Sequence, residues 1–188
     1  MTAPSVRLGP LLDEGPLALF RRMADGHPVD LDVLADREYH GIALGNPRFV
    51  ERLSWKTFKK VFLREADGSI RGWNAAVEQQ GVDGAYDDRL RGGERVTYWH
   101  YALRPGHAYP ASPFPFGAMI DYGLGEAGAL NPQRLVRDPL VSLEAGSSDL
   151  LLGYSYAAVG SFPLHLPTFF ALVRGGPLTY VVPSPRAA

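Results

Sequence analysis

Across residues 54–65 the side chains alternate at a period of two. Lys56, Phe58, Lys60 and Phe62 share one side, and Trp55, Thr57, Lys59, Val61 and Leu63 the other, which predicts a β-strand. Asp67-Gly68 supplies a hairpin turn, and residues 69–77 read as the returning strand. A polar loop covers residues 80–91, an aromatic strand 94–103 and a proline-rich bend 104–115. Further strands are expected at 116–122, 135–143, 150–159 and 168–174. Pro139 cannot donate to a ladder, so it argues for an edge or a bulge. Upstream, residues 16–24 place Leu17, Phe20 and Met23 on one helical face, with Pro16 in the first turn and Gly26 as a stop. Val29, Leu31, Val33 and Leu34 form a helical turn that feeds the first strand at Tyr39-His40-Gly41. Seven or eight short strands broken by turn residues are the pattern of a sandwich or barrel, not of βαβ units.

The expected fold is thus mainly β: one antiparallel barrel of about eight strands behind a short N-terminal helix. A single domain spans 1–188, with a helical lead over about 16–35, a barrel over about 37–180 and a frayed tail at 183–188. A formal charge of -1 removes any chain-wide attraction for nucleic acid or an anionic membrane. With no cysteine, disulfides and thiolate metal sites are excluded, and a reducing compartment fits. Residues 1–10 show no signal-peptide run and no apolar stretch is long enough to span a bilayer, so the expected location is cytoplasmic. Composition leaves the oligomeric state open.

Several phrases resemble a bacterial family named for a Gly-x-Trp-x-Gly (GXWXG) motif. The lead Pro28-Val29-Asp30-Leu31-Asp32 is similar to the phrase that precedes that motif, whose positions here hold Arg37, Tyr39 and Gly41 in place of Gly, Trp and Gly. Residues 55–62 are a loose counterpart of the family's Trp-Tyr-Gly-Lys-x-Phe strand. Residues 117–122, 149–153 and 169–174 follow the order and spacing of its last strands. Over roughly residues 28–174 the resemblance implies a lipocalin-like (calycin-type) barrel. It implies no catalytic residues.

Candidate chemistry has to be sought in the expected cavity. Trp73, Tyr98, Phe116, Tyr122, Tyr154, Tyr156 and Phe170 add more large rings than a narrow barrel needs, either as ordinary core or as walls around a ligand. All the lysines fall at 56, 59 and 60. If Phe58, Lys60 and Phe62 face inward, Lys60 can pair with a ligand carboxylate or phosphate; if outward, the lysines protect a strand edge. His100, between Trp99 and Tyr101, is a general-base candidate or a structural imidazole. Asp121, between Ile120 and Tyr122, needs a partner such as Arg134 or Arg137 if it faces inward. The five histidines lack metal-ligand spacing, and no nucleophile elbow, phosphate loop or dinucleotide fingerprint is present. Neither a metal nor a cofactor is expected.

Two functions compete. One is binding or carriage of a small hydrophobic or amphipathic molecule. The other is a cofactor-independent isomerase or cyclase that folds its substrate in the same cavity, with His100, Tyr98 or Asp121 as acid or base. A structural or interaction barrel with a filled interior is the third.

Overall fold

The computed structural model describes residues 5–45, 56–125, 131–160 and 162–185. Its strands are β1 (Arg37–Leu44), β2 (Thr57–Arg64), β3 (Ile70–Ala76), β4 (Leu90–Arg91), β5 (Glu94–Arg95), β6 (Thr97–Pro105), β7 (Ala118–Asp121), β8 (Val136–Ser142), β9 (Leu150–Val159) and β10 (Phe162–Pro177). Eight of them close into an antiparallel barrel in the order β1-β10-β9-β8-β7-β6-β3-β2, while β4 and β5 pair as a separate hairpin. Apart from that hairpin, neighbours in sequence are neighbours in the wall. The β1–β10 ladder completes the ring, with Gly41 opposite Leu172 and Leu44 opposite Phe169.

The period of two sorts the core into two sets. Tyr39, Phe62, Tyr101, Leu103, Ile120, Leu140, Leu151, Phe170 and Leu172 come from all round the wall and meet inside it. Ile42, Met119, Val141, Leu152, Tyr154, Tyr156 and Phe169 point outward, where two helices cover them. These are α1 (Ser5–Leu12) and α2 (Pro16–Ala24), which bring Leu8, Leu11, Leu19 and Met23. A third, α3 (Leu31–Leu34), is capped by the Asp30 carboxylate accepting from the Asp32 N–H. Its Leu34 enters the interior set and closes the lower end of the barrel, where β1 starts and β2 ends. The upper end, where β2 starts and β7 ends, leads into a short α4 (Tyr122–Gly125).

Close packing inside needs missing side chains. A Cβ on Gly41 would fall on the Phe58 ring, and one on Gly153 on the Phe170 ring. Each ring therefore lies flat over a neighbouring strand's backbone.

Some expectations need correction. Residues 5–12 form a helix that the pattern did not single out, because Gly9 and Pro10 interrupt it. On α2, Leu19 and Met23 are buried while Leu17 is 66% exposed, so the buried face is rotated from the expected one. The polar loop ends in the β4–β5 hairpin, and β10 starts at Phe162. Pro139 lies at neither an edge nor a register-shifting bulge. The β8–β9 ladder pairs Arg137 with Tyr156 and resumes at Leu140 with Gly153 in the same register, skipping Asp138 and Pro139. Of the expected tail, Pro183 is exposed and Ser184 and Pro185 are half-buried, and 186–188 lie outside the described residues, as do Ser54, Trp55 and Glu126. Among the described residues no helix is long and apolar enough to cross a membrane.

Candidate functional site

β2 directs Phe58, Lys60 and Phe62 into the barrel and Lys59 out of it, where Lys59 meets Asp88 at 2.8 Å and Glu38 at 3.5 Å. Lys60 is only 2% exposed. Its ammonium donates to Asn74 Oδ1 on β3 at 3.0 Å and to the Tyr122 hydroxyl at 2.7 Å. Tyr122 in turn donates to Asp138 Oδ2 at 2.8 Å, and that oxygen lies 3.6 Å from Lys60 Nζ. In the closed order β8 is four strands from β2 in either direction, so these charges meet near the barrel axis. The rings of Phe170, Tyr101, Tyr122 and Phe58 surround the ammonium at 5.0, 5.1, 5.2 and 5.8 Å. Such contacts offset part of the desolvation of a buried cation.

Burial dominates the proton affinities. It brings the Lys60 ammonium down to about 8, against the pull of Asp138. The Asp138 carboxyl is raised by burial, opposed by Lys60. Burial also lifts Tyr101 and Tyr122 well above the ordinary phenol range. Among the described residues the buried Asp138 Oδ1 atom makes no close hydrogen bond, while the Ser155 hydroxyl on β9 also helps to hold the carboxyl down.

A pH dependence follows. An unfolded lysine keeps its proton to near 10.5, whereas folded Lys60 releases it through about 8. Stability should therefore be lowest in this respect below about pH 8 and climb between about 8 and 10, at up to about 1.4 kcal/mol per pH unit for one proton. Above about pH 10 the buried tyrosines ionise only on unfolding and pull stability down again. Urea titrations at several pH values check this: the climb should vanish in Lys60→Met/Asp138→Leu.

The structure collects six of the sequence-selected residues inside the barrel: Phe58, Lys60, Phe62, Tyr98, Tyr122 and Phe170, with Tyr98 placed by its pairing with Asn74. It puts others elsewhere. Between Gly72/Tyr101 and Asn74/Tyr98 strand β6 carries one extra residue, and Trp99 takes φ 51°. This bulge breaks the alternation, so Tyr98 and Tyr101 both face inward and His100 turns out toward Trp73, ring centroids 6.2 Å apart. Burial lowers the His100 pKa, with Arg71 adding to the effect. Trp73 packs outside against Tyr180. Tyr154 and Tyr156 also belong to the outer core, Tyr154 holding His165 Nδ1 at 2.7 Å. Phe116 precedes β7 and is 39% exposed. Asp121 faces outward yet is buried, bound to Arg137 at 3.0 Å and accepting from Tyr109 at 2.6 Å.

Asp138, Asn74 and Tyr101 were not among the selected residues. A signal for Asp138 existed: Val136, Asp138 and Leu140 share one strand face. No protein-family model matches the chain, and no curated protein matches it. The assignment therefore rests on geometry. Among the described residues no group of His, Asp or Glu is arranged to hold a metal ion.

At the upper end, Phe58 and Tyr98 are half-buried, Trp99 is 39% exposed and Leu124 is 42% exposed. Trp99 stacks edge-on against Tyr122 and Tyr98, which holds a bulky residue in the left-handed region. The lysine centre therefore lies beneath an aromatic rim, while the lower half is filled by Tyr39, Phe62, Leu140 and Leu172.

Proposed function

We propose that this barrel binds a small, mostly apolar molecule carrying one hydrogen-bond donor, which enters past Trp99 and Tyr98 and lodges its polar group at Lys60 and Asp138. The carrying observation is the Asp138 Oδ1 atom, a carboxylate oxygen buried among rings that makes no close hydrogen bond among the described residues, with the Ser155 hydroxyl of β9 the one further donor acting on the carboxyl. An acceptor in that state costs stability unless something donates to it. Because Asp138 already balances Lys60, the centre is neutral as a pair. A ligand carboxylate or phosphate would meet Asp138, so a hydroxyl or amide fits better than an anion. The likeness to the GXWXG family belongs to the same reading, as does action in the cytoplasm, where a chain without cysteine loses nothing.

Methyl-detected NMR titration tests it. Benzyl alcohol should give saturable shifts at Ile120, Leu140 and Leu151, and benzoate should bind at least about tenfold more weakly. Unmoved interior methyls with both compounds would overturn the proposal in favour of a filled structural barrel. The proton path from Lys60 through Tyr122 to Asp138 favours a second reading, a cofactor-independent isomerase or cyclase using the same centre.

A further inference from the structure

Resting on the binding proposal, we infer that Lys60 is a nucleophilic amine that captures small apolar aldehydes or ketones as a reversible imine inside the barrel; the carbonyl brings no donor of its own, and the hydroxyl created by the addition is the donor that meets Asp138. Three arrangements carry this. Lys60 Nζ sits on the axis with its stem fixed by β2 and its head enclosed by four rings, so a carbonyl carbon that displaces the Trp99 and Tyr98 rim meets it end-on. Tyr122 accepts from the ammonium and donates to Asp138, an unbroken path along which one proton leaves nitrogen as another reaches the carboxylate. Asp138 Oδ1, which makes no close hydrogen bond among the described residues, can accept one from the oxygen that departs.

The step balances without an external reagent. The ammonium passes one proton through Tyr122 to Asp138, leaving a neutral amine and a carboxylic acid. Nitrogen attacks the carbonyl carbon, the C–N bond forms, and the carbonyl π electrons move to oxygen, which takes a proton from nitrogen to give a carbinolamine. Asp138 returns its proton to that hydroxyl, the C–O bond breaks, and water leaves. The product is a protonated C=N–Lys60 with Asp138 again a carboxylate, so the initial ion pair becomes an iminium–carboxylate pair and nothing is oxidised or reduced. Burial favours this amine further, since desolvation already weakens its hold on the proton. Phe58 and Phe170 exclude bulk water that would otherwise return the imine to carbonyl.

The test is reductive trapping on the full chain. Benzaldehyde with cyanoborohydride should add one benzyl group, located by peptide mapping at Lys60, at a rate at least about tenfold above half-buried Lys56, although an inert buried amine would be the slowest to react. Excess benzyl alcohol should suppress labelling at Lys60 and leave Lys56 unaffected. Lys60→Arg should lose the adduct. Since the wild-type map alone decides, the result does not depend on whether that variant folds. Labelling of Lys56 and Lys59 with Lys60 spared would overturn the inference. If benzyl alcohol still shifts the interior methyls, binding stands and only the imine falls; if it does not, both fall.

Discussion

Lys60→Met alone is expected to lower stability by about 3–5 kcal/mol, and Lys60→Met combined with Asp138→Leu to recover most of that loss. Methionine nearly reproduces the lysine stem, so little volume is lost. What changes is the company of Asp138. Its Oδ2 keeps the Tyr122 hydroxyl, but the cation across the axis is gone, and a carboxylate there must either remain charged among rings or take up a proton to be neutral. Tyr122 and Asn74 also lose the donor they accept from. Removing both charges replaces an ion pair with apolar bulk, which buried sites tolerate well. Urea unfolding of the wild type, the two single variants and the double variant gives the coupling directly. A single Met variant as stable as the double would show that the axial pair holds nothing together.

Trp73→Ala should cost a similar amount, about 3–5 kcal/mol, for a different reason. The indole is fully buried on the outside of β3, between the Arg71 guanidinium at 5.2 Å and the rings of Tyr180 and His100. Truncation leaves a hole beneath the C-terminal segment, which Arg71 also holds by donating to the Val182 carbonyl at 2.8 Å. Affinity for benzyl alcohol, measured by the same NMR titration under folding conditions, should change by less than about threefold, because the wall separates Trp73 from the interior. Loss of binding with stability intact would return Trp73 to the cavity lining.

These two residues show what alternation reveals and what it conceals. The face of Phe58, Lys60 and Phe62 was legible because β2 is regular over its whole length, so one inward residue fixes the others. Which face turned inward was not legible, since an inward lysine depends on an aspartate from the far side of the ring. The strand pattern likewise anticipated β3, β8 and β9 to within a residue or two. It failed along β6, where the extra residue at Trp99 reverses the phase and sends His100 outside. No turn residue marks that bulge: the residue of β6 in the left-handed region is a tryptophan, held by Tyr122 and Tyr98. Tyr154 and Tyr156 were misplaced for another reason. α1 and α2 cover the outer wall, so residues on both sides of β9 are buried and burial does not tell one side from the other.

The seam between β1 and β10 has a consequence for synthesis. Residues 37–44 leave the ribosome early and gain β2 as a partner almost at once, yet their second partner lies at residues 169–177. Until then β1 presents an unsatisfied edge and the growing chain is a curved open sheet, the arrangement most exposed to mispairing with a neighbouring nascent chain. The ring, and with it the dry environment that sets Lys60's proton affinity, comes into being only when the last strand arrives. A chain stopped inside β10 would yield not a shorter barrel but a sheet with two free borders and a solvated lysine.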